Sequence, residues 1–248
     1  MNILIANDDG IYSPGLLALA EVATEFGDVR IVAPDVEQSS MGHAITATRP
    51  LSYKTTPIKN FEAYRVNGTP ADCVALGAFN WEENVDVVLS GINLGTNLGN
   101  SCWHSGTLAA AKQAALFGFR GIAFSTAVSK SEPDFELLKP YVRQVLKMLL
   151  PETELNLVNV NLPYNPKGIQ WTRQSVRHYD GKIVPGADPM GRHHFWFTVI
   201  PVEETEEGTD RYAMRQGMVS ITPLRLDLTN EKALNKVLTK HSSVVANE

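Results

Sequence analysis

Asn2-Ile3-Leu4-Ile5-Ala6-Asn7-Asp8-Asp9-Gly10-Ile11-Tyr12-Ser13-Pro14-Gly15 is the stretch whose reading decides the fold. Its apolar run, Asn2–Ala6, predicts a buried strand, and two adjacent carboxylates stand at that strand's C-terminal end. Gly10 lets the chain turn, and Ser13-Pro14 reads as an N-cap followed by the first helical position. In a parallel α/β sheet, ligands sit at the carboxyl ends of the strands. Two neighbouring negative charges placed there repel each other, and a divalent cation between them is the economical resolution.

The alternation continues outward from this point. Leu16, Leu17, Leu19, Ala20 and Ala23 recur at helical spacing over 14–26, Gly27-Asp28 ends that helix, and 29–33 is the next apolar strand. Extended segments are expected at 44–48 and 63–66, then a helix over 71–79 with Thr69 as cap and Pro70 in its first turn. A strand over 85–89, an Ala-rich helix over 107–117 and a strand over 121–125 follow. A helix over 135–150, interrupted by Pro140, and a strand over 157–161 close this part. Strands and helices alternating at this spacing predict an α/β fold with a doubly wound, mostly parallel, Rossmann-like sheet.

From about 163 the character changes. Short extended runs at 171–176, 182–184, 195–200 and 218–221, separated by Gly, Pro and Asp, read as β-hairpins, and 229–240 reads as a terminal helix. The expected organisation is one domain: a core over 1–162, a hairpin extension over 163–224, and a helix with a loose tail over 225–248. His194-Phe195-Trp196-Phe197 places aromatics on both faces of one strand. Either a partner subunit or a second layer of the same chain would cover the outer face.

Composition narrows the function classes. Of 248 residues, 44% are hydrophobic and 20% charged, ordinary values for a globular protein. The formal charge is −5 and no block of Lys or Arg stands out, which argues against a nucleic-acid partner. No apolar segment approaches the length of a membrane span, and Asp8 and Asp9 interrupt the first apolar run too early for a secretory signal. Two cysteines, Cys73 and Cys102, without metal-type spacing fit a reduced, cytoplasmic protein.

Two further signals bear on the aspartate pair. Taken alone, Asp8 and Asp9 are equally compatible with solvated turn carboxylates. Ser90-Gly91-Ile92-Asn93-Leu94-Gly95-Thr96-Asn97-Leu98-Gly99-Asn100 follows the strand over 85–89, and the expected loop over 90–105 is too long for a mere connector. His104-Ser105-Gly106-Thr107 opens the Ala-rich helix, where a Ser cap beside a glycine favours an anion at the unpaired N–H groups. All three signals fall at strand ends or helix starts, so they share one edge of the sheet. Carboxylate, amide and hydroxyl oxygens suit Mg²⁺ or Mn²⁺ rather than zinc. With an anion-binding helix start, they predict metal-assisted hydrolysis of a phosphate ester.

A haloacid-dehalogenase-type phosphatase needs carboxylates two apart, and Gly10 stands two after Asp8. A response-regulator receiver needs an Asp at the end of a later central strand, and Ser90 stands there. Of the six histidines, His43 and His104 lie in loops expected to face the site and are candidate proton donors. His178, His193, His194, His241 and Lys112 read as surface or packing residues.

Asn7-Asp8-Asp9-Gly10, Ala33-Pro34-Asp35 with Glu37-Gln38-Ser39, Gly42-His43-Ala44-Ile45-Thr46, Gly68-Thr69-Pro70-Ala71-Asp72-Cys73, Ser90-Gly91-Ile92-Asn93 and His104-Ser105-Gly106-Thr107 together resemble the survival protein SurE family. Trp171-Thr172-Arg173-Gln174-Ser175 and Val219-Ser220-Ile221-Thr222-Pro223-Leu224 are similar to it as well. The resemblance implies a metal-dependent 5′-nucleotidase acting on nucleoside monophosphates, and in some members on 3′-nucleotides and polyphosphate. It implies one divalent metal ion per subunit, held by Asp8, Asp9, Ser39 and Asn93, with the two aspartates catalytic. It further implies phosphate contacts from Asn97, Ser105, Gly106 and Thr107, and a homodimer or homotetramer built through the C-terminal hairpins. Leu108 and Ser101-Cys102-Trp103 depart from the family pattern around the anion site, which bears on substrate preference. The reading from another class is a metal-dependent nucleotide-binding or signalling module without turnover.

Overall fold

The computed structural model describes all residues except 80–83, 130–131, 177–180, 200–204 and 242–248. The chain runs β1 (Asn2–Ala6), α1 (Pro14–Ala23), β2 (Asp28–Pro34), β3 (Tyr53–Thr55), β4 (Glu62–Val66), α2 (Pro70–Phe79) and β5 (Val87–Leu94). It continues through a 3-10 turn (Gly99–Trp103), α3 (Gly106–Leu116), β6 (Arg120–Thr126), α4 (Phe135–Leu149) and β7 (Leu157–Leu162). Then come β8 (Gly168–Trp171), β9 (Gly181–Ala187), β10 (His193–Val199), α5 (Asp210–Arg215), β11 (Met218–Pro223) and α6 (Glu231–His241).

Nine strands form one sheet in the order β3-β4-β2-β1-β5-β6-β7-β11-β8. All neighbours are parallel except β3–β4 and β7–β11. The central strands are largely apolar because both faces are covered, with polar residues such as Ser90, Ser125, Asn159 and Asn161 towards their carboxyl ends. On β1, Ile3 and Ile5 pack in one core with Leu16 and Leu19 of α1 and Leu138 and Val142 of α4. Leu4 and Ala6 point the other way, into a core with Val74 of α2 and Ala110 of α3. The strand order reverses between β1 and β5, so the crevice at their carboxyl ends is the switch point where α/β folds bind ligands.

Several expectations change. The segment over 44–48 is not a strand: Thr46 N–H donates to Asp72 Oδ1 (2.9 Å) and Ala44 O accepts from Thr69 Oγ1 (2.7 Å), so its backbone is satisfied by the cap of α2. The loop expected over 90–105 is shorter, because β5 runs on to Leu94, with a register shift against β6 between Ser90 and Asn93. Pro140 does not interrupt α4, which continues as one helix with Leu138, Val142, Val145, Leu146 and Leu149 on its buried face. In the C-terminal part, β8 and β11 join the main sheet, and β9 with β10 forms a separate two-stranded antiparallel sheet. Phe195, Trp196 and Phe197 on β10 are 70%, 65% and 64% exposed, so no second layer of described residues covers them. Among the described residues no helix is long and apolar enough to cross a membrane.

Candidate active site

Asp8 stands two residues beyond the end of β1 and is only 3% exposed. Burial, aided by the neighbouring Asp9 and opposed by hydrogen bonds from Thr107, leaves its carboxyl pushed up to about 6. Thr107 Oγ1 donates to Asp8 Oδ1 at 2.7 Å. The carboxyl therefore rests on the first turn of α3, where the helix dipole favours negative charge. Gly106 makes this approach possible: a Cβ there would lie 2.7 Å from Asp8 Cβ. Asp9 is also raised, first by burial, against the Leu94 N–H bond that lowers it, with Glu37 adding repulsion. That N–H donates to Asp9 Oδ2 at 3.0 Å.

The remaining expected cation ligands lie next in sequence to groups that touch the pair. Gln38 N–H donates to Asp8 O at 2.7 Å, one residue from Ser39, whose hydroxyl donates to Glu37 Oε1 at 2.6 Å. Asn93, one residue from Leu94, donates its Nδ2 to Gly95 O at 2.6 Å, which leaves Oδ1 as its ligating atom. Among the described residues no group of three or more His, Cys, Asp and Glu is placed to hold a metal. A cation here would rest on two carboxylates completed by neutral oxygens. The donor chemistry fits that role: all four groups offer oxygen, and both carboxyls carry a burial penalty that a dication would relieve. Asn7 Oδ1, beside Asp8, adds a buried oxygen without a hydrogen-bond partner among the described residues.

On the anion side, Ser105 caps α3 by accepting Leu108 N–H at 3.0 Å. The Thr107 hydroxyl and peptide N–H both act on Asp8, so an anion at this helix start would meet the Gly106 peptide group. Asn97 is turned inward as well: its Nδ2 donates to Ser125 Oγ (2.8 Å) and Thr107 Oγ1 (3.4 Å). It thereby organises the Thr107–Asp8 pair. The two candidate histidines separate. His43 Nε2 meets Gln113 Oε1 at 2.8 Å, seven residues into α3 and about 10 Å along it from Gly106. His104 is exposed directly ahead of the Ser105 cap, and its carbonyl accepts Gly42 N–H at 3.0 Å.

Sequence reasoning missed the residues behind Asn97. Asn161 Oδ1 accepts Asn97 N–H at 2.8 Å, and Asn97 O accepts from Asn159 Nδ2 at 2.8 Å and Asn161 Nδ2 at 3.2 Å. Asn159-Val160-Asn161 puts two amides on one face of the interior strand β7, a polar pair that could have been singled out.

The family model described as Survival protein SurE matches residues 3–181. The 5′-nucleotidase SurE 1 of Thermus thermophilus is 46% identical over 237 residues, covering 92% of this chain and 93% of that protein. The 5′-nucleotidase SurE of Deinococcus radiodurans is 42% identical over 238 residues, covering 92% and 88%. The crystal structure of the SurE protein from Aquifex aeolicus superposes with a TM-score of 0.83 at 38% identity, covering 97% of this chain and all of that one. With Asp8 on the start of α3 and Asp9 on Leu94 of β5, both at the switch point of the sheet, the chain belongs to the survival protein SurE family.

Proposed function

We propose that this protein is a 5′-nucleotidase, a divalent-metal-dependent phosphomonoesterase that converts nucleoside 5′-monophosphates to nucleoside and phosphate. The observation that carries the reading is the buried Asp8 carboxyl, seated on the first turn of α3 beside Asp9. That arrangement joins a cation site to an anion site, the pairing that phosphoryl transfer requires. The names of relatives at 46% and 42% identity over most of both chains support the substrate class.

Asp8 and Asp9, completed by Ser39 and Asn93, would hold one Mg²⁺ or Mn²⁺ ion. When bound, the ion supplies Lewis-acid activation and neutralises charge on the phosphoryl oxygens. The chain's own groups do the rest. The Gly106 peptide group and the α3 dipole stabilise the phosphoryl oxygens, and Ser105 holds that turn in shape through its cap. Asn97 keeps the Thr107 hydroxyl on Asp8 and so keeps the carboxyl aimed. His104, exposed beside the cradle, is placed to protonate the departing nucleoside oxygen, whereas His43 meets Gln113 farther along α3. Since these contacts recognise a phosphoryl group, 3′-nucleotides and polyphosphate are included as secondary substrates.

The exposed Phe195-Trp196-Phe197 run supports a homodimer or homotetramer through the β9–β10 arm. Two buried free cysteines suit a reducing cytoplasm. The test is phosphate release from AMP with Mn²⁺, with and without EDTA, beside a panel of other phosphate esters. Metal-dependent release that favours 5′-nucleotides is the expected result. Nucleotide binding without release would mark a binding module instead.

A further inference from the structure

Asp210, the first residue of α5, is a wholly buried acid that the proposed chemistry leaves unused. Its Oδ2 accepts Gly99 N–H at 2.8 Å, and its Oδ1 accepts the N–H groups of Ser175 (3.0 Å) and Arg211 (2.8 Å). The Gly99 carbonyl accepts from Gln174 Nε2 at 2.7 Å. Both peptide groups of Gly99 are therefore held by residues far along the chain. Gly99, two residues after Asn97, opens the 3-10 turn that leads into Ser105. The fit is tight: its φ is +54°, and a Cβ there would lie 2.5 Å from Ser175 Oγ and 2.7 Å from Ser175 O. A buried carboxyl group persists where donors match its oxygens, and one of these donors belongs to the loop beside the anion cradle.

The same residue closes the root of the β9–β10 arm. Asp210 N–H donates to Arg173 O at 3.0 Å, Arg173 N–H donates to Gly208 O at 3.0 Å, and the Arg173 guanidinium pairs with Glu206. The chain leaves for the arm after Ser175 and returns at Thr209. Its two roots meet on the carboxyl group that holds Gly99.

We propose that Asp210 is a positioning residue that locks the loop from Asn97 to Ser105 against the root of the arm. In this way the C-terminal segment sets the anion side of the active site. The inference rests on the phosphatase reading for what the loop contacts. Asn97 is clamped from β7, and two residues on, Asp210 clamps Gly99 itself. An amide at 210 would turn a donor toward at least one of the three N–H groups, releasing part of the clamp with little change of volume.

The test uses the full chain with Asp210→Asn, and with Gln174→Ala as a milder lesion on the same glycine. For Asp210→Asn, kcat with AMP is expected to fall roughly tenfold or more, and inhibition by inorganic phosphate to weaken in step. Hydrogen exchange over 95–105 should quicken, while the rise in Tm on adding Mn²⁺ stays at the wild-type value because Asp8 and Asp9 are untouched. Gln174→Ala should move kcat and phosphate inhibition the same way by a smaller factor. Wild-type kcat and phosphate inhibition per folded molecule, whatever happens to Tm, would overturn the assignment. If Asp210→Asn does not fold, the same readouts on Gln174→Ala decide it. If the wild-type protein releases no phosphate from any ester, the phosphatase reading fails instead. Phosphate binding and exchange over 95–105 then still decide the role of Asp210.

Discussion

Asp8 sits where its own charge is disfavoured. Its carboxyl is pushed from 3.8 up to about 6, first by burial, with Asp9 adding to it against the Thr107 hydrogen bonds. A folded value above the unfolded one means that the folded protein keeps a proton the unfolded chain has released. The metal-free protein should therefore be most stable below about pH 4 with respect to this group, and lose stability as pH rises through 6. About two pKa units at roughly 1.4 kcal/mol each put the loss near 3 kcal/mol at most. Urea unfolding of EDTA-treated protein at pH 4.5 and 7.5 measures about two-thirds of it, the rest being lost below pH 4.5. Asp8→Asn should flatten the slope, gain on the order of 2 kcal/mol at pH 7.5, and abolish phosphate release; an unchanged slope would refute the assignment. Thr107→Val removes the hydroxyl bonded to Asp8 and should lower kcat/KM by roughly tenfold to a hundredfold, read by phosphate release. At this scale the aspartates and the Ser105–Thr107 helix start were legible, because strand ends and caps are local patterns. The roles of Asn159, Asn161, Ser125 and Asp210 were not, because their partners lie far along the chain and appear only once the sheet has assembled.

At the scale of elements, the cap of α2 shows how a local signal acquires a second use. Thr69 Oγ1 accepts Asp72 N–H at 3.1 Å and Asp72 Oδ2 accepts Thr69 N–H at 2.9 Å, a reciprocal capping box. The same two side chains hold Ala44 and Thr46, which is why 44–48 never pairs as a strand. Thr69→Ala should destabilise the protein by about 1–2 kcal/mol, seen as a lower urea midpoint at constant m. A midpoint equal to wild type would contradict this account of the cap. The expected loop over 90–105 was misjudged for a related reason. Gly91 and Asn93 have loop composition, yet Ile92 is fully buried and β6 pairs with both Ser90 and Asn93 across a register shift. Non-local pairing outweighed local propensity there. Pro140 is tolerated within α4 for a similar reason, since the buried face of the helix outweighs one missing N–H.

At the scale of the whole molecule, the doubly wound half follows from its sequence pattern, and the reversal between β1 and β5 sets the site. The C-terminal third was less legible. That β11 lies antiparallel to β7 and parallel to β8 is a choice among distant partners that alternating hydrophobicity does not encode. The β9–β10 arm leaves Phe195, Trp196 and Phe197 uncovered, so Phe195→Ser with Trp196→Ser should shift the protein to a smaller species in light scattering, with its far-UV signal retained. An unchanged mass would remove the arm from the assembly. The central claim is that the switch point holds a cation and a phosphoryl group side by side. A crystal structure with Mn²⁺ and phosphate, phased at the manganese edge, tests it most directly. Anomalous density bridging the carboxylates of Asp8 and Asp9, with phosphate against the Gly106 N–H, is the predicted result. Manganese bound elsewhere, or an empty aspartate pair, would contradict it.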